Sequence, residues 1–409
     1  MDQDSKTVFL DFLGYADNAV KAEQLAHVSA TEWHVIIELA RQHMVTPMLY
    51  YRLRPLGSVI SGELMEGLRK EYWKNELKNI RLYQELNKLL RLLQEKDIAV
   101  IALKGSYLAE AVYDDLGLRT MEDVDLLVKK DDLSRLDRDL LTLGCSPEDH
   151  NREVTRDTYH FGYRMPKSGL RVEFHWAWDT YRFQPDMADV WNRAQPLVLA
   201  QAHALALSPV DLLLHLCLHM TKHAYDMHIR MLIDIGEVVR HFKAELDWQE
   251  IGTRARQWGI QRAVYVILRL AQELLDVPVP AEWLVSFRPS DFNDRYLGLM
   301  QEQIFADPRT KGEMGSHHEV ARMWARKGLG GKLALACERL WLPREVMALK
   351  YPAPANSWRI YLYYPVRLKA VLQSHGGELW RIIRSNSEAR AAAKRSNEVS
   401  ELHDWLMMR

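Results

Sequence analysis

The stretch Glu122-Asp-Val-Asp-Leu-Leu-Val128 restricts this chain more than any other. Its apolar residues read as a buried strand, yet Asp123 and Asp125 stand two apart within it, and alternate residues of a strand share a face. Two carboxylates so placed lie roughly 7 Å apart along the strand. Like charges that close repel, and burying them is costly unless a cation arrives. Either the run is a solvated edge, or the pair belongs to a metal site.

The hydrophobic pattern around it changes period twice. Residues 33–40 carry apolar side chains near helical spacing until Pro47 interrupts, and Leu82, Leu86, Leu89 and Leu93, with Tyr83 and Leu90, make one helical stripe. Ile98–Leu103 is then a short continuous apolar run, as a buried strand would be. The spacing predicts a short helix over Ser106–Tyr113, a turn at 114–117, a strand over Val124–Val128 and a helix from Asp131 that closes at Gly144. Tyr159–Met165 and Leu170–Trp176, separated by Pro-Lys-Ser-Gly, predict a β-hairpin. From about Phe183 the pattern reads as helical throughout. Ser208-Pro-Val-Asp211 is a helix start, and helices are expected over 209–224, 230–244, 247–258 and 260–276. A loop or linker follows over 308–331, and the last eighty residues read as basic, Trp/Tyr-rich and helical.

The expected fold is α+β and mainly helical. A small mixed-sheet core over 97–180 stands between a helical region at 1–96, a helical domain lining the cleft at 181–305 and a basic helical region at 306–409. Composition narrows the partners. With 409 residues and a net charge of −1, the chain is no general polyanion binder, although residues 321–409 carry sixteen Lys/Arg against seven Asp/Glu. Nucleic acid is therefore not the expected partner. Cys145, Cys217 and Cys337 have no paired spacing, which fits a reducing compartment. The opening residues lack the features of a signal peptide, and no apolar run is long enough to span a membrane, so a cytoplasmic location is expected.

Asp123 and Asp125 need a third acid to hold a pair of divalent ions, and Glu173, between Val172 and Phe174, points opposite to its apolar neighbours. The Gly105-Ser106 turn, at a strand end and a helix start, lets backbone N–H groups approach phosphate oxygens. Lys104 and Arg119 are the nearby cations.

The order of strand, Gly-Ser, helix, Asp-hydrophobic-Asp strand and later acidic strand resembles the DNA polymerase beta-type nucleotidyltransferase superfamily. More closely, "LKGSYLAEAVYDDLGLRTMEDVDLLV", "VEFHW", "LLLHLCLHMTKH" and "LIDIGEVV" resemble an uncharacterised bacterial nucleotidyltransferase family, over about residues 30–245. The resemblance implies a nucleotidyltransferase core and an NTP substrate, with ATP as the guess. It also implies a Mg²⁺ (or Mn²⁺) cofactor held by Asp123, Asp125 and Glu173, and nucleotide contacts from Lys104, Gly105, Ser106 and Arg119. The expected acceptor is a small molecule, peptide or protein. The alternative is a catalytically silent nucleotidyltransferase-like protein that binds nucleotide or a partner. Sixteen residues separate Ser106 from Asp123, longer than the superfamily's usual interval, so the intervening loop is an insertion.

His215, His219 and His223 recur every four residues and share one helix face. Three readings stay open: metal ligands, a face bordering the active-site cleft, or polar members of a helix seam. His175 shares the face of Glu173 and could orient it.

Overall fold

The computed structural model describes residues 3–15, 25, 27–56, 60–148, 159–178, 185–223, 226–306, 347, 353, 357–367, 369 and 398–406. The chain forms two compact units. The first comprises Met1–His223, Met227–Leu297 and Leu406–Arg409, and the second Ala224–Asp226 and Gly298–Trp405.

In the first unit, α1 (Gln3–Leu13), α2 (Ala30–Gln42), α3 (Thr46–Leu53) and the long α4 (Gly62–Glu95) precede the sheet. Ser29 opens α2 with a capping box: its hydroxyl accepts from the Glu32 amide, and its own amide donates to the Glu32 carboxylate at 2.7 Å. Pro47 stands in the first turn of α3, where a missing N–H costs nothing, so the interruption read there is a boundary between two helices. The leucine stripe of α4 is buried as expected, and Asn75 and Asn79 are buried with it.

The sheet has seven strands: β1 (Val100–Leu103), β2 (Asp123–Val128), β3 (Ser146–Pro147), β4 (His160–Arg164), β5 (Arg171–His175), β6 (Gln195–Leu199) and β7 (Ala202–Ala206). Their order is β3-β4-β5-β2-β1-β7-β6. It is mixed, since β2–β5 and β1–β7 run parallel while the remaining neighbours are antiparallel. Between the strands lie α5 (Lys104–Ala111), α6 (Leu133–Thr142) and α7 (Met187–Arg193). Gly144, at φ +89°, ends the α6 segment as its position predicts.

One part of the pattern reading is overturned. Residues 195–206 are not helical but form the β6–β7 hairpin that completes the sheet beside β1. Its turn residues, Ala200 and Gln201, take φ values of 49° and 60°, where Gly or Asn is usual. Long-range contacts hold them there. The Ala200 amide donates to Glu110, and Asn87 of α4 donates to the Ala200 carbonyl at 2.6 Å.

After the sheet come α8 (Pro209–Lys222), α9 (Ile229–His241), α10 (Trp248–Gln257), α11 (Gln261–Leu275) and α12 (Ala281–Phe287). Ser208 caps α8, and Pro209 occupies its first turn. Asp211 is wholly buried, and Arg193 (2.9 Å) and Arg254 (2.7 Å) meet it from α7 and α10. A buried carboxylate is tolerable only with such partners. Among the described residues no helix is long and apolar enough to cross a membrane. In the second unit, Met347, Ala353 and Ile360 form a small apolar cluster with Tyr363 and Tyr364 packed on it. The expected loop at 308–331 lies outside the described residues.

Candidate functional site

Strand alternation and register build the site. The parallel β2–β5 pairing sets Asp123 opposite Arg171 and Asp125 opposite Glu173. With His175 two residues further on, these side chains share one sheet face, while Val124, Leu126, Val172 and Phe174 are buried on the other. β1 ends beside Asp125, since Leu103 is its cross-strand partner, and the next residue is Lys104. Lys104 takes φ +46°, an uncommon conformation for a side-chain-bearing residue.

The Lys104 ammonium lies 2.7 Å from Asp125 Oδ1, and His175 Nε2 is 2.9 Å from the same oxygen. His175 Nε2 is also 3.4 Å from Glu173 Oε2. The ligand atoms of Asp125, Glu173 and His175 all lie within 4.8 Å of one another. Two carboxylate oxygens and an imidazole nitrogen at that separation fit a divalent cation, and the nitrogen makes the set at least as suitable for Mn²⁺ as for Mg²⁺.

Arg171 went unnoticed in the sequence. Its guanidinium spans three acids, 2.7 Å from Glu173 Oε1, 3.4 Å from Asp123 Oδ2 and 2.6 Å from Glu148 Oε2. The available signal was its spacing of two before Glu173, which puts both on one face; the Asp123 contact needs the strand register.

Electrostatics separate the acids. Burial alone would raise the Asp125 pKa, but the Lys104 charge and the His175 hydrogen bond overcome it and hold this carboxyl well below the usual range. Glu173 is lowered in the same way: burial opposes the shift, and the His175 bond outweighs it. Asp123 is raised by burial and by the charges of Asp125 and Glu173. Burial also acts against the charged Lys104, yet Asp125 wins and its pKa is raised. Lys104 is a resident cation.

The Gly105-Ser106 turn is packed more tightly than its sequence suggested. The Ser106 hydroxyl is buried and donates to the Leu103 carbonyl at 2.9 Å. A Cβ on Gly105 would stand 2.3 Å from Arg119 Nη1, so only glycine fits. Arg119 in turn gives Nε and Nη2 to the two oxygens of Asp234 on α9, at 2.9 and 2.8 Å, and Tyr113 donates to the same acid. The loop between α5 and β2 explains this placement. Asn75 and Asn79 of α4 donate to the carbonyls of Leu116, Gly117 and Arg119, and Tyr72 donates to Asp115. The loop is a clamped strut that delivers Arg119 to Asp234.

On α8, His215 and His219 stack at 6.4 Å between ring centroids, and His219 meets His223 edge-on at 4.6 Å. The three line a cavity of about 260 Å³ that Lys104, Glu173, His175, Trp178 and Lys222 also line. Both His215 ring nitrogens are buried without a hydrogen-bond partner among the described residues. Burial, then the Lys104 charge, pushes the pKa of His215 and His219 well below the usual value, so both are neutral. The structure thus brings Asp123, Asp125, Glu173, Lys104 and His175 together with the histidine face beside them. Arg119 and the Ser106 hydroxyl are turned to neighbours within the fold.

A row of strand-borne acids, flanked by cations and opening into a polar cavity, is equipped for chemistry on charged, metal-bound substrates. The chain belongs to a family of uncharacterised nucleotidyltransferases, whose model matches residues 29–276, more than half its length. No curated protein sequence matches it. Among solved structures it is similar to the antibiotic-resistance factor ANT(2'')-Ia at 12% identity and a TM-score of 0.34, over 48% of this chain and 98% of that one. The same factor in complex with adenylyl-2''-tobramycin gives 11% and 0.33, over 44% and 97%. An antigenic nucleotidyltransferase-like protein from Paracoccidioides brasiliensis gives 17% and 0.31, over 50% and 96%.

Proposed function

We propose that this chain transfers a nucleoside monophosphate from an NTP to a small-molecule, peptide or protein acceptor and releases pyrophosphate. The observation that carries the reading is the in-register pair Asp125 and Glu173, joined by His175 and Asp123 on one sheet face of a chain in a nucleotidyltransferase family. Asp125, Glu173 and His175, with Asp123 beside them, are the residues that would hold Mg²⁺ or Mn²⁺. A bound divalent ion would offset phosphate charge and polarise the phosphorus under attack.

The chain's own groups supply the rest. Lys104, paired with Asp125 at the carboxylate row, would meet a phosphate oxygen, and the Gly105 backbone stands beside it at the start of α5. Glu173 is the candidate to accept the acceptor's proton, with His175 fixing its orientation. The neutral His215 and His219 offer uncharged hydrogen-bonding groups in the adjoining cavity. Arg119 acts as a positioning residue, since its guanidinium fixes Asp234 and packs under Gly105.

The test uses two labels. With Mg²⁺ or Mn²⁺, ATP as the first NTP and a cell extract as acceptor source, α-labelled NTP should mark an acceptor and γ-labelled NTP should not. Labelling from the γ position alone would replace nucleotidyl transfer with phosphoryl transfer.

A further inference from the structure

A second concavity, of about 1190 Å³, meets the carboxylate row at Asp123 and Arg171, whereas the histidine cavity meets it at Glu173 and His175. Residues 66–85 of α4 form one wall, the Arg164–Arg171 turn forms the other, and Glu122 and Asp123 lie at its inner end. Composition gave no hint of it, because its cations are spread between two distant segments. Seven cations and four acids line it. Trp73 and Leu77, four apart in a stripe on one face of α4 and both lining the groove, are 52% and 55% exposed. Lys70, Lys74 and Lys78 flank the stripe, and Lys78 and Arg81 have no acidic partner among the described residues. An exposed apolar stripe bordered by cations on a rigid helix is a surface made to be covered.

We propose that this groove docks the acceptor, and that the acceptor is an acidic polypeptide segment with apolar side chains; the inference rests on the nucleotidyl-transfer reading above. Charge sets the sign of the occupant. Its volume of about 1190 Å³ exceeds the usual small-molecule site of roughly 300–1,000 Å³. Trp73 is the one aromatic residue among the groove's lining, so successive nucleobases find no run of rings to stack on, while Leu77 beside it receives a leucine-like side chain. The position fits a two-substrate reaction, with one concavity at the Asp123–Arg171 end of the acids and the other at Glu173 and His175. In the transfer served, an acceptor oxygen or nitrogen bonds to the α-phosphorus. The α–β P–O bond breaks, pyrophosphate leaves with the electron pair, and the acceptor proton passes to Glu173.

The experiment is fluorescence anisotropy on the full chain with three labelled probes: a peptide of alternating Glu and Leu, its Gln/Leu counterpart, and a single-stranded oligonucleotide of matched charge. The Glu/Leu peptide should bind at least tenfold more tightly than either other probe. Lys70→Glu/Lys74→Glu/Lys78→Glu, and separately Leu77→Asp, should each weaken it at least tenfold while leaving the Mg²⁺-ATP shift in melting temperature unchanged. All four positions are exposed or groove-lining on a long helix, and circular dichroism checks that it persists. Tighter oligonucleotide binding overturns the proposal in favour of nucleic acid. No peptide binding overturns it, and loss of the ATP shift in the triple variant assigns the groove to nucleotide instead. If the wild type shows no ATP shift, the nucleotidyl-transfer reading and the acceptor role fall together, while the peptide measurement still decides the docking site.

Discussion

Lys104 Nζ stands 2.7 Å from Asp125 Oδ1, the same oxygen that His175 approaches at 2.9 Å, so the chain carries its own cation to the buried acid of the carboxylate row. Two consequences follow for Lys104→Met. The variant leaves Asp125 with a single partner, and it should lose about 3 kcal/mol in urea unfolding. A divalent ion and Lys104 also compete for one oxygen, so MnCl₂ should raise the melting temperature of the variant by more than that of the wild type. Equal increments would separate the ion site from Asp125.

Arg119 and Asp234 form a buried, two-pronged pair between the α5–β2 loop and α9. Arg119→Met or Asp234→Leu alone should cost about 3–5 kcal/mol, because each leaves a buried charge without its partner. The double variant should cost clearly less than the sum. Additive losses, measured by chemical denaturation, would mean that the two groups act independently.

Gly105→Ala pushes a methyl group to 2.3 Å from Arg119 Nη1. It should destabilise the wild type by about 1–3 kcal/mol, the range for overpacking a tight site. In an Arg119→Met background the same substitution should cost much less, and thermal unfolding of the four proteins reads the difference.

The neutral His215, buried, and His219, half-buried beside it, fix a pH dependence. Their folded pKa values lie well below the unfolded one, chiefly through burial and then through Lys104. Well above the ordinary histidine value of about 6.5 neither state is protonated at these sites, and their contribution to stability is complete. As the pH falls below that value, the unfolded chain takes up protons that the folded chain refuses. Stability then drops by up to about 1.4 kcal/mol per pH unit for each histidine. The contribution of Asp125, lowered in the fold, is lost only further down, below the ordinary carboxylate value. Urea unfolding between pH 7.5 and 5.5 should show the decline, and His215→Gln/His219→Gln should flatten it.

Much of this site could be read from alternation alone. The period of two placed Asp123, Asp125 and Glu173 on strand faces opposite to Val124, Val172 and Phe174, and the Pro-Lys-Ser-Gly turn announced the β4–β5 hairpin. The β6–β7 hairpin escaped because Ala200 and Gln201 carry no turn signal; α4 and Glu110 impose their conformation from a distance. Arg171 escaped because its partners are set by cross-strand register, and Arg119 looked like a phosphate ligand because Asp234 is 115 residues away. The groove along α4 was invisible for the same reason: its two walls are far apart in the chain.

The most direct test of nucleotidyl transfer is pyrophosphate release by wild type and by Glu173→Gln, a near-isosteric change that keeps the shape of the site. With NTP, Mg²⁺ or Mn²⁺ and an acceptor-containing extract, the wild type should release pyrophosphate in step with acceptor labelling. The variant should be slower by at least about a hundredfold, the usual cost of removing a catalytic acid–base group, with its melting temperature little changed. Pyrophosphate release by Glu173→Gln at the wild-type rate, or none from the wild type under any of these conditions, would contradict the assignment.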